Sequence, residues 1–145
     1  MKQKIRSVAY ILLLCCLPAA HAVDVNMPGL DLNGSEWWVE DIEGHGVIDM
    51  SHTTLRFSVD GTVSGDTGCN RYHGSVDISG DRIRFGPLAG TRKACSPALM
   101  DQEIKFYRAM IQVVSWEIPP TRLLHLKDVD DNTMIRAWRV EASLP

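Results

Sequence analysis

Cys69 and His73, in the run Gly68-Cys69-Asn70-Arg71-Tyr72-His73-Gly74, are the residue types in this chain most suited to nucleophilic chemistry. A thiolate beside an imidazole base is a working nucleophile if the thiol is free and a third group orients the base. A second cysteine, Cys95, closes the run Gly86-Pro87-Leu88-Ala89-Gly90-Thr91-Arg92-Lys93-Ala94-Cys95 and offers the first a disulfide partner instead. Which reading holds depends on the compartment the chain occupies.

The N-terminus points to export. Lys2, Lys4 and Arg6 form a basic region, Val8 to Leu17 is apolar, Pro18 breaks the run, and Ala20-His21-Ala22 is an A-x-A site with cleavage expected before Val23. The apolar run is about half the length a spanning helix requires. Leu12-Leu13-Leu14 stand where lipid attachment at Cys15 would need small residues. We read residues 1–22 as a signal peptide, 23–31 as a flexible lead-in and 32–141 as a single domain, periplasmic or secreted. Cys15 and Cys16 leave with the signal, so Cys69 and Cys95 remain to form one bridge in an oxidising setting. Such a bridge stabilises by roughly 3–4 kcal/mol on the chain-entropy model. His73 then reads as a polar loop residue.

Other chemistry finds little support. His45, His52, His73 and His125 show no metal-ligand spacing. Asp128-Val129-Asp130-Asp131-Asn132 begins like a calcium loop, but Thr133 replaces the glycine and Arg139 the final glutamate, so it reads as a solvated turn. No hydrolase elbow, phosphate loop or dinucleotide fingerprint is present. The expectation is a non-enzyme with no catalytic residue, no metal and no cofactor.

The 145 residues carry 15 Lys and Arg against 18 Asp and Glu. Removing the signal leaves 123 residues and moves the formal charge from −3 to −6, because the signal carries three cations and no acid. That balance argues against nucleic acid, which needs a basic footprint. The partner expected is an envelope protein or a small ligand, met by a monomer without a stable membrane span. Asn70, Arg71 and Tyr72 admit two readings: a structural loop in which Asn70 bonds nearby backbone, or the polar rim of a binding groove. Arg92, with Thr91 and Lys93, would extend that rim into a cationic patch able to hold an anionic group.

The elements that position these residues follow from periodicity. Leu32 to Val39 enters a first strand, and Glu43-Gly44-His45-Gly46 breaks it. Thr54 to Val59 alternates, with Leu55, Phe57 and Val59 on the buried face; Asp60-Gly61 turns it into a partner, Thr62 to Gly65. Val76 and Ile78 pair with Ile83 and Phe85 in a second hairpin, followed by a loop from Gly86 to Cys95. Ser96 is placed to cap a helix of about 16–18 residues opened by Pro97, with Met100, Ile104, Tyr107, Ile111 and Val114 as its core stripe and Gln102 off it. Trp116 to Ile118, Leu123 to Lys127 and Met134 to Val140 complete the strands. The fold class is α+β, mainly β: an antiparallel, barrel-like curled sheet with one amphipathic helix packed against it.

On these residues the chain resembles the META/HslJ family. The resemblance covers about Leu32 to Val140. It rests on Leu32-x-Gly34-x-x-Trp37, Gly68-Cys69-Asn70-Arg71-Tyr72 with Gly74, the Gly86-Pro87-Leu88-Ala89 and Thr91-Arg92-Lys93-Ala94-Cys95 pieces, and Met100, Glu103 and Phe106. Lys93 departs from the pattern, where an apolar residue is commoner, and the doubled Trp37-Trp38 blurs which ring faces the core. The resemblance implies a barrel-like sheet with a packed helix, and an exported protein linked to heat or envelope stress and antibiotic tolerance. In one parasite lineage it implies virulence and secretion. It brings no catalytic residue. A small periplasmic hydrolase or inhibitor-type module is the alternative.

Overall fold

Along β1 (Ser35–Ile42), Ser35, Trp37 and Val39 point inward while Glu36, Trp38 and Glu40 point outward, the period of two that a strand imposes. The doubled tryptophan is thereby resolved: Trp37 is core and Trp38 lies on the outer wall. The computed structural model describes residues 31–141; the signal peptide and all but the last residue of the lead-in lie outside the described residues. The remaining elements are β2 (His45–Gly46), β3 (Thr54–Phe57), β4 (Thr62–Asp66), β5 (Arg71–Ser79), β6 (Arg82–Gly90), α1 (Pro97–Gln112), β7 (Ser115–Glu117), β8 (Leu123–Lys127) and β9 (Thr133–Arg139).

Every strand pairs antiparallel with its neighbour, and β1 pairs with both β3 and β9, which closes eight strands into a barrel. The two-residue β2 folds back on the end of β1 through the Glu43-Gly44 turn. A barrel of eight strands is just wide enough for side chains to fill. Leu55 and Phe57 of β3, Val63 of β4, Leu124 and Leu126 of β8, and Ile135 and Ala137 of β9 fill this one, with Trp37.

Three expectations are corrected. Val59 is 83% exposed, not core, because β3 stops at Phe57 and the Ser58–Gly61 turn begins at once. The run from Gly86 to Gly90 is strand, not loop: Leu88, Ala89 and Gly90 pair with Gly74, His73 and Tyr72. Gly86 and Pro87 fall at a register shift opposite Ser75, where a strand tolerates a residue without an N–H. His73 is accordingly an exposed strand residue.

The third correction concerns the helix. Its buried face is Gln102, Phe106, Ala109 and Met110, continued by Val113. Met100, Ile104 (64% exposed) and Ile111 (82% exposed) face outward, and Tyr107 is half-buried. Both rows satisfy the helical period and lie on opposite faces, so periodicity alone does not choose between them. Pro97 opens the helix as expected, but the Ser96 side chain makes no capping hydrogen bond. β6 and β7 share one ladder pair, Arg82 and Ser115, flanked by the Ile83–Val114 and Trp116–Asp81 backbone bonds, and α1 packs against β9 and β1.

Tyr72 projects from β5 into the core and donates its phenolic O–H to the Thr54 carbonyl on β3, 2.9 Å away. It reaches there only because Gly65 of the intervening β4 has no side chain: a Cβ would lie 2.1 Å from Thr54 O and 2.9 Å from the phenol oxygen. Gly65→Ala should therefore cost about 1–3 kcal/mol by overpacking, read as a lower urea midpoint, whereas a midpoint unchanged from wild type would show that the close approach is absent. Burial, with Tyr107 and Asp66 adding to it, holds the Tyr72 phenol well above its ordinary value of 10.0. The unfolded chain ionises first, so stability is intact below about pH 10 and falls as pH rises toward the folded value. Tyr72→Phe should lose some baseline stability, yet show a shallower decline between pH 9 and 11 in guanidinium titrations.

Candidate functional site

The Gly68–Gly74 motif divides into two parts by strand alternation. Cys69 and Asn70 face inward at the top of the barrel, Arg71 faces outward, and Tyr72 faces inward again. Cys69 and Cys95 stand at disulfide distance, with Cα atoms 6.0 Å apart and sulfurs in bonding contact. The pair joins the β4–β5 connection to Cys95, two residues before α1. A bonded Cys69 cannot serve His73 as a nucleophile.

Asn70 is buried, and its carboxamide is fully engaged. Its Oδ1 accepts the Thr91 hydroxyl and the Lys93 amide, both at 2.7 Å. Its Nδ2 donates to Glu103 Oε1 at 3.2 Å and to the Lys93 carbonyl at 3.4 Å. Two acceptor pairs and two hydrogens exhaust what an asparagine side chain offers. Glu103, on the first turns of α1, also accepts the Thr67 hydroxyl through Oε2. Thr67 Oγ1 in turn accepts the Asn70 backbone N–H at 3.0 Å. Only the backbone of Lys93 enters this network, which explains why its side chain can depart from the apolar residue common in the family.

A second carboxamide lies beside the first. Gln102 Oε1 accepts the Ile48 amide at 2.7 Å, while Nε2 lies within 3.2 Å of Ser51 Oγ, Thr53 Oγ1 and the Thr67 carbonyl. Gly68 sits against this group with φ +91°, and a Cβ there would approach Ser51 to 2.9 Å. A left-handed backbone and a lack of room together demand glycine at this position. Gln102, Ser51, Thr53 and Thr67 were missed by sequence reasoning. Their only signal was a polar residue breaking a second apolar row on the helix.

Arg71 and Arg92 are both exposed and lie on adjoining backbone: Thr91 N–H donates to the Arg71 carbonyl at 2.9 Å, and Arg71 N–H to Thr91 Oγ1 at 3.2 Å. Among the described residues the Arg71 guanidinium has no ion-pair or hydrogen-bond partner. It borders a notch of about 240 Å³ in the outer wall, at the end of the β3–β4 ladder beyond the Arg56–Ser64 pair, where Asp66 N–H still donates to Thr54 Oγ1 at 3.1 Å. Glu36 and Arg56, cross-strand partners joined at 2.9 Å, form one side; Ser64 and Asp66 form the other; Thr54 and Tyr72 line the base. Asp66 Oδ1 accepts the Gly68 N–H at 2.7 Å. Tyr72, expected at a loop rim, contributes from below as a core residue. A second, apolar groove of about 390 Å³ runs between β6 (Phe85, Pro87, Leu88) and α1 (Tyr107, Met110, Ile111).

The fold and motif define a class: a closed antiparallel barrel capped at one end by a disulfide and a helix, joined through a buried asparagine. The META domain model matches residues 30–141, and the chain belongs to that family. No curated protein matches it. Among solved structures it is similar to a protein from Burkholderia xenovorans determined by NMR, with TM-score 0.62 and 23% identity over 77% of this chain and 85% of that one. A DUF4847 family protein from Bacteroides vulgatus, solved by crystallography, gives TM-score 0.56 and 14% identity over 76% and 95%. At these identities the likeness is one of fold. No helix among the described residues is long and apolar enough to cross a membrane.

The network makes a charge-specific prediction. Asn70→Asp replaces the Nδ2 donor with a carboxylate facing Glu103, and should destabilise by at least about 2 kcal/mol at neutral pH. Two facing carboxylates raise the pKa of one of them, so the deficit should narrow between pH 7 and pH 4.5 in urea melts. For Asn70→Ala the deficit should stay constant. A deficit for Asn70→Asp that ignores pH would mean that Glu103 does not face it.

Proposed function

We propose that this protein is an exported, non-enzymatic META domain that serves envelope or heat stress tolerance, and antibiotic tolerance with it, by binding a partner or ligand through the outer-wall notch beside Arg71. The observation that carries this reading is the division of the motif. Asn70, Glu103 and Thr67, the side chains with chemical potential, are occupied by one another and by backbone amides. Arg71, between two inward residues, is left unengaged at a concave polar surface. Concave sites with a few convergent polar groups are the usual form of a ligand site. The disulfide-distance pair supports an oxidising compartment, in keeping with the signal-peptide pattern of residues 1–22.

A strain lacking the gene should survive heat and antibiotic challenge poorly and recover with the wild-type chain. The double variant Arg56→Glu/Arg71→Glu should reach the periplasm folded, with a modestly lower melting point because it loses the Arg56–Glu36 ion pair and sets like charges opposite Glu36 and Asp66, and fail to restore survival. A strain indistinguishable from its parent under challenge would overturn the stress role, and full rescue by the double variant would remove the notch from the function.

A further inference from the structure

We propose that the notch and the tryptophans beside it form a binding site for an acidic saccharide, that is, a sugar chain bearing carboxylate or phosphate. This rests on the reading of the domain as a binding module.

The outer wall next to the notch is aromatic. Trp38 and Trp138 are cross-strand partners on β1 and β9, their rings 5.4 Å apart, and the His52 ring stands edge-on to Trp38 at 4.9 Å. Trp138 is 42% exposed. The aromatic surface is continuous with the notch in two directions. Thr54, at the base of the notch, is the cross-strand partner of Trp38, and Glu36 precedes Trp38 by two residues on the same face, about 7 Å along the strand. Large aromatic side chains outside the core of a barrel already filled by Trp37 and Phe57 are available for contact.

The combination matches the chemistry of a sugar ring. A pyranose has an apolar C–H face that an indole covers, and a rim of hydroxyls that each donate and accept. The Glu36–Arg56 pair presents an acceptor and a donor side by side, suited to two adjacent hydroxyls. Ser64 Oγ adds a group of either role. Arg71 stands opposite Asp66 on β4 but forms no ion pair with it, the Asp66 carboxylate accepting the Gly68 N–H instead; its guanidinium supplies the planar fork that a uronate or phosphate would engage, and Arg92 adds cationic charge on the adjoining backbone. A neutral sugar would leave that fork unused. A plain anion would leave the tryptophans unused.

Two measurements on the mature, oxidised protein test this: retention on an array of immobilised uronate-bearing, phosphate-bearing and neutral glycans, and tryptophan emission during titration with a galacturonate tetramer. Wild type should retain acidic glycans and give a saturable emission change. Arg71→Gln should weaken acidic binding at least tenfold and leave the weak neutral binding as it was. Trp138→Ala should weaken both at least tenfold. If wild type retains no glycan above the Arg71→Gln/Trp138→Ala double variant, the saccharide assignment is overturned. If in that case the charge-reversed protein still fails to rescue the stressed strain, the notch remains a binding site for something other than sugar. If it rescues fully, both readings fall together.

Discussion

The Asn70 carboxamide holds together three segments that no sheet ladder joins. Beyond Gly90 the chain leaves β6; Thr91 still bonds to Arg71 at the start of β5, and Arg92, Lys93 and Ala94 then run toward the helix outside the sheet. The Lys93 amide and carbonyl then need partners, and Asn70 supplies both while its remaining hydrogen reaches Glu103 on α1. A single such bond contributes only about 1 kcal/mol net, but removing one partner leaves others buried and unsatisfied, at a larger cost. The Cys69–Cys95 pair holds the same segments from the adjacent position. The two constraints act on one point, so the β4–β5 connection and the start of the helix behave as one unit.

Fixing the start of α1 sets its position along the barrel, and Gln102 sets its rotation. A helix with two apolar rows could have buried either. The Gln102 side chain can leave water only where the Ile48 amide, the Ser51 and Thr53 hydroxyls and the Thr67 carbonyl await it. That requirement turns Phe106, Ala109 and Met110 into the barrel, and leaves Ile104 and Ile111 outside. The apolar groove between β6 and α1 is a consequence of the same rotation. The salt link from Arg108 to Glu43, by contrast, joins an exposed guanidinium to the β1–β2 turn, where solvent screening leaves an ion pair little energy.

The same alternation that buries Asn70 and Tyr72 exposes Arg71. One short strand start thus carries a structural knot on one face and an exposed arginine beside a polar notch on the other. The glycines around it serve the same division: Gly68 admits the Gln102 group, and Gly65 admits the Tyr72 hydroxyl. The two faces are therefore coupled in the motif, since few substitutions there can alter the outer face without loading the inner one. Arg71 is the exception, because its side chain reaches only solvent and the notch.

Much of this was legible in the chain itself. Alternation in Thr54–Val59, Asp60-Gly61 between two strands, and Pro97 ahead of a helical period each fix local geometry through backbone sterics; the turn and the helix start appear where expected, and the first holds as far as Phe57. The pairing of Cys69 with Cys95 followed from their number once Cys15 and Cys16 were assigned to the leader. What the sequence could not decide were quantities defined only between distant segments. The buried face of α1 depended on hydrogen-bond partners some fifty positions earlier, Ser51 and Thr53. The strand from Gly86 to Gly90 depended on a register that places Gly86 and Pro87 at a bulge. The notch depended on where the β3–β4 ladder ends, and on Glu36, twenty positions from Arg56, arriving opposite it. Local residue types determine which backbone states are cheap. Only the closed barrel determines which polar groups meet, and so which side chains are left facing solvent.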